Sequence, residues 1–143
     1  MIFKRTLILA QALLTNGLVM PDDEEERLVL LEYALQEVAN KATTLRLVSL
    51  NVDNRIVKPS GVEGVFMRSP ALPRNVEEEI DIDEPLAFAV ARYLAAFVSE
   101  DPKIAEYHVN KAIDIINQYN TTVESYLEGL DNDTSTARIP QSY

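Results

Sequence analysis

EEEIDIDEPLAFAVARYLAAFVS, residues 77–99, is the stretch that decides the fold. Its first half carries Glu77, Glu78, Glu79, Asp81, Asp83 and Glu84 and stops at Pro85; its second half is apolar and holds no acid. Proline is tolerated in the first helical turn, and carboxylates favour the positive end of a helix dipole. Asp83 or Glu84 is therefore placed to cap a helix that starts near Pro85. Leu86, Val90, Tyr93, Leu94 and Phe97 follow at helical spacing and share one face of it.

Working outward toward the C-terminus, residues 99–101 break this helix and Pro102 starts another. Ile104, His108, Ala112, Ile115 and Tyr119 mark its inner face, which continues or bends through Val123, Tyr126 and Leu127 to Gly129. The last stretch, DNDTSTARIPQSY at 131–143, lacks helical periodicity and reads as an extended or disordered tail.

Toward the N-terminus, Phe3, Leu7, Ala10 and Leu14 predict a first helix over 3–15, stopped by Asn16-Gly17. Pro21 with Asp22, Asp23 and Glu24 opens a second, whose stripe is Leu28, Leu31, Leu35, Val38 and Ala42. Between the helical pairs the composition changes. Residues 44–51, 56–58 and 62–68 are rich in strand formers, with turn residues at Asp53-Asn54 and Pro59-Ser60-Gly61. Pro70 and Pro73 then keep the chain extended. The expected fold is mainly α: a bundle of about four helices forming one domain over 1–130, with a small inserted β-hairpin or arm at about 44–76. At 143 residues the chain has the usual length for one domain.

The chain has no cysteine, which removes disulfides, thiolate nucleophiles and sulfur-based zinc sites. Its formal net charge of −10 opposes binding to nucleic acid through phosphates. No apolar run is long enough to span a bilayer. Lys4 and Arg5 ahead of Leu7, Ile8, Leu9 and Ala10 have the outline of a signal peptide, but Gln11 interrupts it and no cleavage site follows. No leader is expected, so the sequons at Asn120 and Asn132 carry no meaning.

His108 is the one histidine, and its place on the apolar side of a helix points to a structural role. Asp81-Ile82-Asp83 resembles the paired carboxylates that hold metals in sugar-transferring enzymes; the commoner origin of such a triplet is a strand end leading into a helix cap. Calcium-loop spacing fails too: counting from Asp81 puts Pro85 and Leu86 where an oxygen ligand and glycine belong, and counting from Asp131 puts Thr136 at the glycine position. Gly17, Gly61, Gly64 and Gly129 build no phosphate-cradling loop. Tyr93, Tyr107, Tyr119 and Tyr126 lack a basic groove and read as packing or interface residues. No catalytic, cofactor or metal site is expected, and the function is expected to be protein binding without enzyme activity.

The charge layout says more. Between Lys41 and Val76 stand Lys41, Arg46, Arg55, Lys58, Arg68 and Arg74 against only Asp53 and Glu63, with acidic stretches at 22–26 and 77–84 on either side. Either solvated faces differ by accident, or the basic arm of one copy meets an acidic surface of the next, a heterologous contact that can close into a ring. On the second reading Arg55, Lys58, Arg68 and Arg74 are interface candidates. Asp22, Asp23, Glu24, Glu77, Glu78, Glu79, Asp81 and Asp83 are the matching candidates for an acidic lumen or interface.

Three blocks carry a resemblance: 44–51; RIVKPSGVEGVFMRSPALPRNVEEEIDIDEPL at 55–86 followed by AFAVARYLAAFVSED at 87–101; and AEYHVNKAIDIINQYN at 105–120. A β arm leads through a proline-marked segment to an acidic D-x-D helix start, an alanine-rich helix with a central tyrosine, and a second helix. This layout resembles the head-to-tail connector proteins of tailed bacteriophages, also called adaptor or head-completion proteins, over about residues 41–126. The resemblance implies a homo-oligomeric ring, dodecameric in such proteins, that docks on the portal protein, meets tail or nozzle proteins and extends the DNA channel in the virion neck. It implies synthesis in the host cytoplasm, no membrane, no enzyme activity, and DNA that passes without sequence-specific binding. Ala87, Ala89, Ala91, Ala95 and Ala96 would then allow close helix approach, and acidic side chains on the channel wall would repel phosphate. The competing expectation is an acidic helical binding module, a regulator or inhibitor acting as monomer or dimer. An enzyme using Asp81 and Asp83 with a divalent metal is the remaining class.

Overall fold

The computed structural model describes residues 1–49, 56–59 and 66–136. Helix α1 (Phe3–Leu13) buries Phe3, Thr6, Leu7 and Ala10 and has no side-chain N-cap. Its free first-turn amides are met from elsewhere: Phe3 N–H donates to the Glu78 carbonyl (2.9 Å) and Lys4 N–H to that of Val76 (2.8 Å), while Ile2 bridges Glu79. The acidic stretch is thus zipped to the start of the chain. After α1 the backbone turns through Asn16 (φ 58°) and Gly17 (φ 75°), both left-handed. Gln11 closes that turn, donating to the Leu18 carbonyl and accepting from Met20 N–H.

Helix α2 (Glu24–Lys41) starts three residues after Pro21, with Asp23 as its cap: the carboxylate accepts from Glu26 N–H at 2.9 Å. Leu31, Ala34, Leu35, Val38 and Ala39 face the core. Asn120 of the last helix clamps its C-terminal end, donating to the Lys41 carbonyl and accepting from Thr43 N–H.

The inserted arm contains strands β1 (Val48–Ser49), β2 (Ile56–Pro59) and β3 (Phe66–Arg68), in the antiparallel order β1-β3-β2. Val48 pairs with Met67 on one side of β3; Ile56 pairs with Arg68 and Lys58 with Met67 on the other, so the register slips by a bulge between Ile56 and Lys58. Among the described residues the arm thus holds three short strands, one in each stretch rich in strand formers. Arg55 lies outside the described residues, as does the side chain of Lys58.

A 3-10 turn (Glu84–Leu86) feeds α3 (Ala87–Val98). The one-face reading of α3 needs correction. Ala87, Ala89, Val90, Ala91, Tyr93, Leu94, Ala95 and Ala96 are all buried, whereas Phe97, expected on the inner face, is 40 % exposed. A helix apolar around most of its circumference belongs at the centre, and α3 packs against α1, α2 and α4. Its alanines let the other helices approach.

Helix α4 (Pro102–Thr136) buries His108, Ala112, Ile116 and Val123. It runs on to Thr136, so the extended path expected from Asp131 is replaced by helix for six residues; residues 137–143 lie outside the described ones. From Glu124 to Gly129 its residues are exposed, Tyr126 and Leu127 among them. Among the described residues no helix is long and apolar enough to cross a membrane.

Candidate functional site

The acidic stretch folds into the base of the β arm. Ile80 and Ile82 are core residues, and the carboxylates that alternate with them, Asp81 and Asp83, are buried beside them. Burying an ionised carboxyl is costly unless charges and N–H donors surround it. Asp81 meets that demand with Arg46 Nε on Oδ1 (2.8 Å), the Arg68 guanidinium bidentate across both oxygens, and Ala71 N–H on Oδ2 (2.8 Å). Asp83 accepts from Leu45 N–H (2.8 Å) and Tyr119 hydroxyl (2.6 Å) on Oδ2, and from Arg46 N–H (3.0 Å) on Oδ1.

These partners come from both ends of the arm. Leu45 and Arg46 lead into β1, Arg68 ends β3, and Ala71 follows it. Tyr119 ties the same knot to α4. Two carboxylates two residues apart therefore fasten the entry and exit of the arm to the helical body.

Electrostatics follow the geometry. Burial opposes ionisation of Asp81, but hydrogen bonds from Arg68, Ala71 N–H and Arg46 outweigh it and hold the carboxyl down at about 2. Burial and the hydrogen bond to Asp83 push the Tyr119 phenol well above its ordinary value, so it remains a donor at any working pH.

Several sequence expectations change here. Asp83 does not cap α3; its side chain makes no bond to that helix start and serves the arm instead. Asp81 and Asp83 were expected at an acidic lumen or interface, but both are buried, at 7 % and 8 % exposure, and bonded within the chain. The same bonds occupy the oxygens that a metal would need. Among the described residues no group of three or more His, Cys, Asp or Glu is placed to hold an ion.

Arg68, expected at a subunit interface, is engaged by Asp81, and Arg74 holds Glu78 through its side chain (2.8 Å) and N–H (2.7 Å) while staying largely exposed. Glu77 pairs with Lys4, and Glu79 with Arg46. For Arg46, Arg68 and Arg74 the complementarity of basic arm and acidic flank thus operates inside one chain. Asp22, Asp23 and Glu24 remain at the surface: Asp22 pairs at 3.6 Å with Arg27, and Asp23 caps α2.

Sequence reading missed Tyr119 and Asn120 as fasteners. Spacing alone makes Tyr119 part of an inner face and Asn120 part of a sequon; nothing local marks either as a fastener, because their partners lie 36 and 77 to 79 positions away. His108 is buried as expected. Its Nδ1 faces Arg92 Nη1 at 3.1 Å, and burial together with that cation pushes the imidazole below its ordinary value, so the ring is neutral and Nδ1 accepts.

Compared with protein-family models, curated proteins and solved structures, the chain shows a match to none of them.

Proposed function

We propose that this chain is a structural virion protein: a ring-forming head-to-tail adaptor that docks on a portal protein and extends the DNA channel in a phage neck. The observation that supports it best is the double-carboxylate brace. A β arm of very short strands has little stability by itself, yet here its entry and exit are fixed to a helical core by two buried acids. An arm anchored at both ends is suited to reaching a neighbouring copy or a portal surface, because less ordering is left to do on docking.

In this role the chain performs no chemistry. Its partners are copies of itself, the portal, and tail or nozzle proteins, and DNA passes without being read. Net negative charge suits that passage, since acidic side chains repel the phosphate backbone.

The second reading, an acidic regulator or inhibitor acting as monomer or dimer, draws on the exposed acids at 22–26, which a cationic partner would fit. Mass photometry of the full chain, with and without the portal ring encoded in the same genome, separates the two. A ring or a portal-dependent complex supports the adaptor; a stable monomer indifferent to portal supports the regulator.

A further inference from the structure

In a chain this acidic, cations without an acidic partner are unexpected. Among the described residues Lys4, Arg27, Lys41, Arg46, Arg68 and Arg74 each pair with a carboxylate. Arg5, Arg92, Lys103 and Lys111 form no such pair, and three of these four gather at one place. The Arg92 guanidinium lies 5.9 Å from the Tyr107 ring centroid and the Lys111 ammonium 5.4 Å from it. Lys103, Tyr107 and Lys111 recur every four residues along one face of α4, and Lys103 lines the same open hollow of about 510 Å³ as Arg92 and Tyr107.

This cluster is built and oriented. His108, 4 % exposed, receives a hydrogen bond from Arg92 at Nδ1, which holds the guanidinium beside Tyr107. Tyr107 itself is 53 % exposed. Two like charges beside one ring, with a third lining the same hollow, are placed to attract an anion.

The chain also carries the matching surface. Asp22, Asp23, Glu24, Glu25 and Glu26 are all exposed, and Glu24, Glu25 and Glu26 make no ion pair among the described residues. Glu24 lines a cleft with Phe3 at the first turn of α1, whereas the cationic hollow includes Ala12 and Leu13 at the last turn. The two sites are separated by about 14 Å along that helix, at ~1.5 Å per residue, and so cannot satisfy each other within one copy.

We infer that the Arg92, Lys103 and Lys111 cluster around Tyr107 is the docking surface for the acidic turn 22–26 of a second copy. The contact joins different surfaces of the two copies, so it is heterologous and propagates head to tail until a ring closes. It rests on the adaptor reading and moves the joint between copies from the β arm to the α3–α4 edge. Duplex DNA is the weaker occupant, because three cations on a strongly acidic body neutralise few phosphates.

Reciprocal charge swaps test it. One variant carries Lys103→Glu and Lys111→Glu, a second Glu24→Lys and Glu25→Lys, and a third all four; circular dichroism checks that each is folded. Sedimentation velocity, with portal present if the wild type requires it, reads the assembly. Each two-site variant should weaken association by about tenfold or more, and the four-site variant should recover most of that loss, as complementary charge pairs do. Equal assembly by all three overturns this contact and leaves the ring intact. Absence of rescue also overturns it. A wild type that never assembles overturns the contact together with the adaptor reading. If duplex DNA binds the wild type and the Lys103/Lys111 variant loses only that binding, the cluster is a DNA site and the inference falls.

Discussion

At the scale of single residues, Asp81 and Asp83 do work that neither a cap nor a metal ligand would do. Replacing Asp83 by alanine leaves two backbone amides and the Tyr119 hydroxyl without their acceptor. Urea unfolding should show a loss of about 3 kcal/mol, against about 1 kcal/mol for Tyr119→Phe, which deletes one hydrogen bond and buries no orphan. Asp81 adds a pH signature. Its folded value of about 2 lies below the ordinary 3.8, so the stabilisation it gives is complete above about pH 4 and is lost as pH falls toward 2. Thermal melts over that window should drop for the wild type and flatten for Asp81→Asn, already destabilised at neutral pH. The D-x-D pattern was legible in the sequence, and so was its position before a helix. Its partners were not, because Leu45, Arg46, Arg68 and Ala71 become neighbours only when the arm closes.

At the scale of elements, the helices were readable because burial imposes a period, and that period fails where burial is complete. Residues of α3 are apolar on nearly every side, so a one-sided stripe could not be separated from a central helix by spacing alone. The consequence is measurable. Ala89→Leu, at a fully buried position, should cost about 2 kcal/mol through overpacking. Phe97→Ser, half exposed, should cost less than about 1 kcal/mol. The end of α4 was misread for the converse reason. Past Gly129 the sequence carries no helical period, although the backbone stays helical to Thr136. Leu127→Ser, at an exposed position of the same helix, should change the unfolding free energy by no more than about 0.5 kcal/mol. Asn120→Ala removes the clamp on the end of α2 and should cost about 1 to 2 kcal/mol, the usual range for a lost helix cap.

At the scale of the whole molecule, charge is sorted twice. Arg46, Arg68 and Arg74 and the 77–84 acids answer each other inside the chain, which leaves the 22–26 turn and the Tyr107 cluster as opposite charges on distant surfaces. Segregated charge was visible in the sequence; which segments met was not, since a linear charge map does not tell a contact within one copy from a contact between two. Assembly through such surfaces should weaken as salt rises from about 0.05 to 0.5 M, because the screening length shrinks several-fold. The most direct measurement is the mass of the wild-type chain at low salt, alone and with its portal ring, read by mass photometry and imaged by electron microscopy. A closed ring, formed alone or on the portal, is the expected result. A monomer of unchanged mass that ignores the portal would contradict it.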